Sequence, residues 1–85
     1  MTSGRASQWA AAPPDAAFWD AGDLGCGDLV LHLRMRIEAL PPGQMLHLVA
    51  LDPGAPADLP AWSRLTGHRL VAADHPHYLI QRKEP

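Results

Sequence analysis

One cysteine stands in the 85 residues, in the stretch Leu24-Gly25-Cys26-Gly27-Asp28-Leu29-Val30. A short β-like run precedes it and a strongly periodic helical run follows it, which predicts a thiol at the mouth of a helix. The first N–H groups of a helix lack internal acceptors and carry partial positive charge. A thiol beside them ionises below the free value of about 8.5. Gly25 and Gly27 leave it uncrowded, and let the backbone approach whatever binds there. Asp28, a favourable first-turn carboxylate, lies two residues away and opposes thiolate formation by a smaller margin. Two readings fit this placement: a reactive thiolate, or a small buried hydrophobe, since free cysteine is among the most buried residue types.

Other groups with chemical potential surround or follow it. Leu31, His32, Arg34, Met35 and Arg36 occupy the helical run. Its basic members suit an acidic partner or an ordinary solvated face. Leu31 and Met35, four apart, form either a partner-facing patch or scattered exposed apolar residues. His75-Pro76-His77 supplies two imidazoles, an incomplete metal set. Asp20 and Asp58 read as turn or cap residues, and His68 as a structural histidine after a helix stop. No glycine-rich nucleotide loop is present, and no metal or cofactor is implied.

The elements that must position these groups follow from periodicity. Residues 1–16, rich in Ala, Pro, Ser and Gly, read as a disordered or loosely attached arm, with Trp9 its one sticky residue. Residues 17–85 form the folded domain. Ala17 to Ala21 reads as a strand, and Gly22-Asp23 as its turn. A helix beginning at Gly27 or Asp28 carries Leu29, Val30, Leu33, Ile37 and Leu40 on one face. Pro41-Pro42-Gly43 ends it. Met45 to Leu51 is a well-covered strand with Leu46, Leu48 and Ala50 on one side. Ala57 to Thr66 is a second helix with Leu59, Trp62 and Leu65 as its buried stripe, and Gly67 as its stop. Pro56 and Pro60 are tolerable only in or before the first turn. His68 to Ala73 and Tyr78 to Lys83 form a hairpin about Asp74-His75-Pro76-His77.

The order β-α-β-α-β-β predicts an α/β (α+β) two-layer sandwich. A four-stranded mixed sheet carries both helices on one face, because parallel crossovers are right-handed. The open face then needs cover from polar residues or a partner. A chain this short buries about 60% of its unfolded surface, enough for one modest core. The net charge of -2 argues against a dedicated nucleic-acid binder. A single cysteine cannot close an internal disulfide. No run is long enough to span a bilayer, and the N-terminal residues lack a basic-then-apolar leader pattern, so a reduced, cytoplasmic setting is expected.

The motifs, taken in order, resemble the TusA/SirA family of small sulfur-carrier proteins. Trp19-Asp20, Leu24-x-Cys26, Leu40-Pro41-Pro42-Gly43 and Asp52-Pro53-Gly54 fall at family spacing. Asp58-Leu59-Pro60-Ala61-Trp62-Ser63-Arg64-Leu65-Thr66-Gly67-His68-Arg69-Leu70 follows the family's Asp-Ile-Pro-x-Phe/Trp-Cys-Arg-x-Thr-Gly-His-x-Leu pattern. The match runs from about Trp19 to Lys83. Gly27 and Leu29 replace the two prolines of the family's Cys-Pro-x-Pro, Ser63 replaces a second cysteine, and Asp23 replaces a glycine. Losing the prolines makes the helix start less rigid without removing the nucleophile.

The resemblance implies that Cys26 accepts sulfur as a persulfide from a donor protein, a cysteine desulfurase or a rhodanese-like enzyme. The sulfur then passes to an acceptor protein. Gly25, Gly27, Asp28, Leu31, His32, Arg34 and Met35 are the candidate docking residues. Transfer RNA thiolation, molybdenum cofactor pathways and sulfur oxidation all fit such a carrier. Two other readings share the scaffold. One is a non-catalytic interaction or regulatory module, consistent with the altered motif. The other is an RNA-binding domain, because the fold resembles the C-terminal domain of a translation initiation factor; the acidic balance opposes it.

Overall fold

A computed structural model describes residues 9–84, with Cys26 described through its backbone. Six elements follow in the order β1 (Ala17–Gly22), α1 (Cys26–Glu38), β2 (Met45–Ala50), α2 (Ala55–Thr66), β3 (Arg69–Asp74) and β4 (His77–Gln81). The strands form one sheet in the order β1-β2-β4-β3. β1 runs parallel to β2, while β4 is antiparallel to both β2 and β3. This is the mixed four-stranded sheet with two helices that the periodicity predicts.

Alternation along the strands separates two faces. Leu46, Leu48 and Ala50 of β2, with Tyr78 and Ile80 of β4, bury themselves beneath Leu29, Leu33 and Ile37 of α1 and Ala55, Leu59 and Trp62 of α2. Both helices therefore lie on one side. Ala17, Trp19, Leu24, Val30, Leu40 and Leu70 close the margin of this core.

Several boundaries differ from the sequence reading. Helix α1 starts at Cys26 itself, one or two residues early, because the extended Gly25 (φ -72°, ψ 166°) serves as its N-cap and accepts the first helical bond from Leu29 N–H at 2.7 Å. Helix α2 starts at Ala55, which places Pro56 in its first turn and Pro60 beyond it. Pro60 is thus tolerated outside the first turn, where one intrahelical bond to the Pro56 carbonyl is forgone. Gly67 ends α2 at φ +85°, a left-handed conformation open to glycine, and donates to the Ser63 carbonyl at 2.9 Å.

Leu65 does not join the buried stripe of α2; it is 87% exposed. Ala55, Leu59 and Trp62 fall at i, i+4 and i+7 and fill the core-facing direction. Leu65 lies off that line, on the flank beside α1. His68 precedes β3 rather than opening it. Asp74 and His77 pair across the hairpin, so its loop is only His75-Pro76, joined by a cis peptide.

The sheet's second face is covered by the chain itself. Of the segment read as an arm, residues 1–8 lie outside the described residues. Residues 9–16 lie across this face in two turns, closed by Ala12 N–H to the Trp9 carbonyl (3.0 Å) and Ala16 N–H to the Pro13 carbonyl (3.1 Å). The Gln44 side-chain amide donates to the Asp15 carbonyl at 2.9 Å. Beneath them sit Phe18, His47, Leu79 and His77, of which His47 and Leu79 are almost wholly buried.

Candidate functional site

Cys26 opens α1 at the end of a three-residue loop fixed at both ends. Upstream, Gly22 leaves β1 at φ +59°, a turn favouring glycine, and its N–H donates to the Asp20 carboxylate at 2.9 Å. The Gly22 carbonyl accepts from Leu51 N–H (2.9 Å), which ties this loop to the end of β2. Leu24 donates its N–H to the Ala21 carbonyl at 3.3 Å and packs its side chain on the core. Downstream, Leu29 is fully buried. The cysteine backbone is therefore held between two apolar anchors, Leu24 and Leu29.

The residues between those anchors present no bulk. A Cβ built on Gly25 or Gly27 would meet no heavy atom within 4 Å, and Gly25, Gly27 and Asp28 are exposed. No side chain caps α1. Its first N–H groups have no acceptor within the helix, so this end is suited to an anion.

From Gly27 an apolar groove runs between the two helices. Its first part, about 300 Å³, is lined by Gly27 and Val30 of α1 and by Asp58, Ala61, Trp62 and Leu65 of α2. Its continuation, about 430 Å³, adds Leu31, Arg34 and Thr66. Leu31 is 58% exposed and Leu65 87%. The groove thus starts one residue from the cysteine and ends at the Arg34 guanidinium, which donates to Glu38 at 3.1 Å.

This arrangement divides the sequence-derived candidates. Gly27, Leu31 and Arg34 line the groove. Asp28, His32 and Met35 are exposed on α1 and line no part of it, and Gly25 precedes the helix. Leu31 and Met35, four apart on α1, are both exposed, and of the two only Leu31 lines the groove. Arg36 stacks over the Trp19 ring at 4.5 Å, a contact within the domain. The α2 wall of Ala61, Trp62, Leu65 and Thr66 was not expected. Leu65, an apolar residue displaced from the Ala55-Leu59-Trp62 spacing, was the signal for it.

The remaining polar residues serve the fold. The Ser63 hydroxyl donates to the His68 carbonyl and accepts from Leu70 N–H at 3.2 Å, joining α2 to β3. His68 is buried, lies flat against Trp62 at 5.5 Å, and accepts the Lys83 N–H on Nδ1 at 3.1 Å. Its partner is thus the segment after β4. Burial, aided by the Lys83 charge, holds His68 below the usual imidazole range. Asp20 lies within β1 rather than in a turn, and its carboxylate accepts the Gly22 N–H where the strand ends. Asp58 stands in the first turn of α2, where it borders the groove. His75 meets the Tyr78 hydroxyl through Nδ1. Among the described residues no three His, Cys, Asp or Glu side chains gather as a metal set. None of the described helices is long and apolar enough to cross a membrane.

A two-layer α+β domain with its only cysteine at the first position of a helix is the class that fold and site define. No protein-family model matches the chain. Individual relatives do. The sulfur carrier protein TusA of Allochromatium vinosum is 33% identical over 67 residues, 74% of this chain and 88% of that protein. TusA of Pseudomonas syringae is 38% identical over 56 residues, covering 66% and 67%. TusA of Pseudomonas paraeruginosa is 36% identical over 58 residues, covering 68% and 73%. The chain belongs to the TusA family of sulfur carrier proteins.

Proposed function

We propose that this protein relays sulfur as a persulfide on Cys26, between a donor protein and an acceptor protein that dock in turn along the α1–α2 groove. The observation that carries this reading is the position of the sole cysteine: first residue of α1, pinned by Leu24 and Leu29, one residue from the start of an apolar groove. The family's sulfur carriers support it.

The chemistry is a pair of thiol exchanges without net oxidation. The Cys26 thiolate attacks the terminal sulfur of a donor persulfide. A new S–S bond forms, the donor's S–S bond breaks, and the electron pair leaves with the donor thiolate. An acceptor thiolate then attacks the outer sulfur and Cys26 departs as thiolate. Both forms on this protein, thiolate and persulfide anion, are negative. The unpaired N–H groups of the α1 first turn stabilise both. No metal or cofactor takes part in either exchange. In the groove, Leu31, Trp62 and Leu65 bind an apolar element of the partner, and Arg34 at its far end favours an acidic one.

The test is intact-mass analysis after incubation with cysteine and a desulfurase, or with thiosulfate and a rhodanese. Wild type gains the mass of one sulfur atom, reversibly by reductant, and Cys26→Ser gains none. Equal gain on both proteins, or none on wild type with either donor system, refutes the proposal.

A further inference from the structure

The two imidazoles on the outer sheet face form a buried contact that the sulfur chemistry does not use. His47, 1% exposed at the centre of β2, places Nε2 at 3.0 Å from His77 Nδ1 on β4. Trp9 lies over both rings, with centroids 5.3 Å from each, and is nearly parallel to His77 at 21°. Phe18 meets His47 edge-on at 5.1 Å. His47 Nδ1 is buried with no hydrogen-bond partner.

Elsewhere residues 9–16 are lightly held. A hydrogen bond from the Gln44 side chain to the Asp15 carbonyl ties them to the sheet's body. A cavity of about 280 Å³ remains under them, lined by Ala12, Pro13, Pro14, Ala16, Phe18 and His47. Trp9 is therefore the principal apolar anchor of the segment, and its seat is the histidine pair.

Proton occupancy decides whether that seat is intact. A hydrogen bond between two imidazoles needs one ring nitrogen to accept. With one proton added to the pair, one ring still donates to the other and the contact holds. A second proton leaves two donors facing each other, and a buried His47 charge without a counterion. The charged and titratable groups on the neighbouring elements are Asp15 on the segment itself, Asp20 on β1, Asp74 and Arg69 on β3, and His75 in the turn. Asp20 already accepts the Gly22 N–H. Burial and the neighbouring His77 both hold His47 below the usual imidazole value of 6.5.

We propose that residues 9–16 are a proton-released strap: Trp9 clamps it over the sheet while His47 is neutral, and protonation of both imidazoles detaches it, baring Phe18, His47 and Leu79. The full chain is followed by NMR from pH 8 to 4.5, reading the ring signals of His47 and His77, the Trp9 indole N–H, and backbone order in residues 9–16. The indole signal moves to its free position and backbone order is lost with the second histidine step, while β2, β4 and the helices stay ordered. Two variants remove the switch by different routes. His47→Phe keeps a ring under Trp9 and cannot titrate. His77→Gln offers an amide oxygen that accepts from a charged His47. Each holds the strap in place through the same range, and either suffices if the other does not fold. A strap that stays docked in wild type through the second step overturns the proposal, as does release in a folded variant at the wild-type pH.

Discussion

The two prolines that the family's Cys-Pro-x-Pro pattern would place at positions 27 and 29 have opposite consequences in this chain. At position 27 the backbone N–H lies in the first turn of α1, where no intrahelical acceptor exists, and a Cβ meets open space. The chain already contains the equivalent arrangement: Ala55 and Pro56 open α2 as first and second residues. Gly27→Pro therefore removes only unfolded-state freedom and raises stability by about 0.5–1 kcal/mol. At position 29 the N–H donates to the Gly25 carbonyl at 2.7 Å and the side chain is fully buried. Leu29→Pro forfeits that bond and crowds the Gly25 carbonyl, at about 3 kcal/mol. It also loses most of a buried leucine, at about 2 kcal/mol. Against a typical total of about 5–15 kcal/mol, that combined loss removes most of the folded state's margin. Urea unfolding followed by circular dichroism measures both variants. Leu29→Pro within about 1 kcal/mol of wild type, or Gly27→Pro destabilised by that much, would contradict these opposite effects. Gly27→Pro should also load sulfur from a small-molecule persulfide as wild type does, since it leaves Cys26 in place and alters only the first part of the groove wall.

Leu65→Glu tests the groove without touching the core: at 87% exposure its stability change should stay within about 0.5 kcal/mol. Single-turnover sulfur transfer to a purified acceptor protein should slow at least several-fold, with loading from a small-molecule persulfide unchanged; an unaltered transfer rate removes Leu65 from the docking surface. Stability should also depend on pH with a definite sign. Both His47 and His68 are held below 6.5, chiefly by burial, so the folded state binds fewer protons than the unfolded chain. Their contribution is complete above pH 6.5 and declines as pH falls from there toward their lowered values. The urea midpoint should accordingly drop between pH 7.5 and 5, and a level midpoint contradicts the assignment.

Positions with a strict period were legible in the sequence. Leu29, Leu33 and Ile37, or Leu46, Leu48 and Ala50, repeat at spacings that leave one arrangement for a buried face. Gly67 announced the end of α2 because its left-handed conformation suits few other residues. What escaped were contacts between segments distant in the chain. The groove needs Leu31 and Leu65 side by side, 34 positions apart, and neither helix alone shows why an apolar residue sits off its own stripe. In the sequence His47 is a single polar residue within an apolar run. Its meaning depends on His77, reached across the β2–β4 ladder, and on Trp9 in a segment whose composition resembles disorder. Composition describes what a segment can do alone. Residues 9–16 have a sheet face to lie on, and the sheet face had lacked a cover.

The altered motif around Cys26 has its own physical logic. Proline fixes a helix start by restricting φ in the residues beside the nucleophile. Here the constraint sits one step further out: Leu24 and Leu29 in the core, the Leu24-to-Ala21 bond before the cysteine, and the Leu29-to-Gly25 bond after it. The four residues between those anchors then need no rigid ring of their own, and two of them are glycines with open space around them. A partner can bring its own thiol against the backbone there without meeting a side chain from positions 25 or 27. On this reasoning the loss of both prolines leaves the cysteine's placement intact and changes the shape that a partner meets. Differences from proline-bearing relatives should therefore show first in which proteins exchange sulfur with it, and only secondarily in whether Cys26 takes sulfur up.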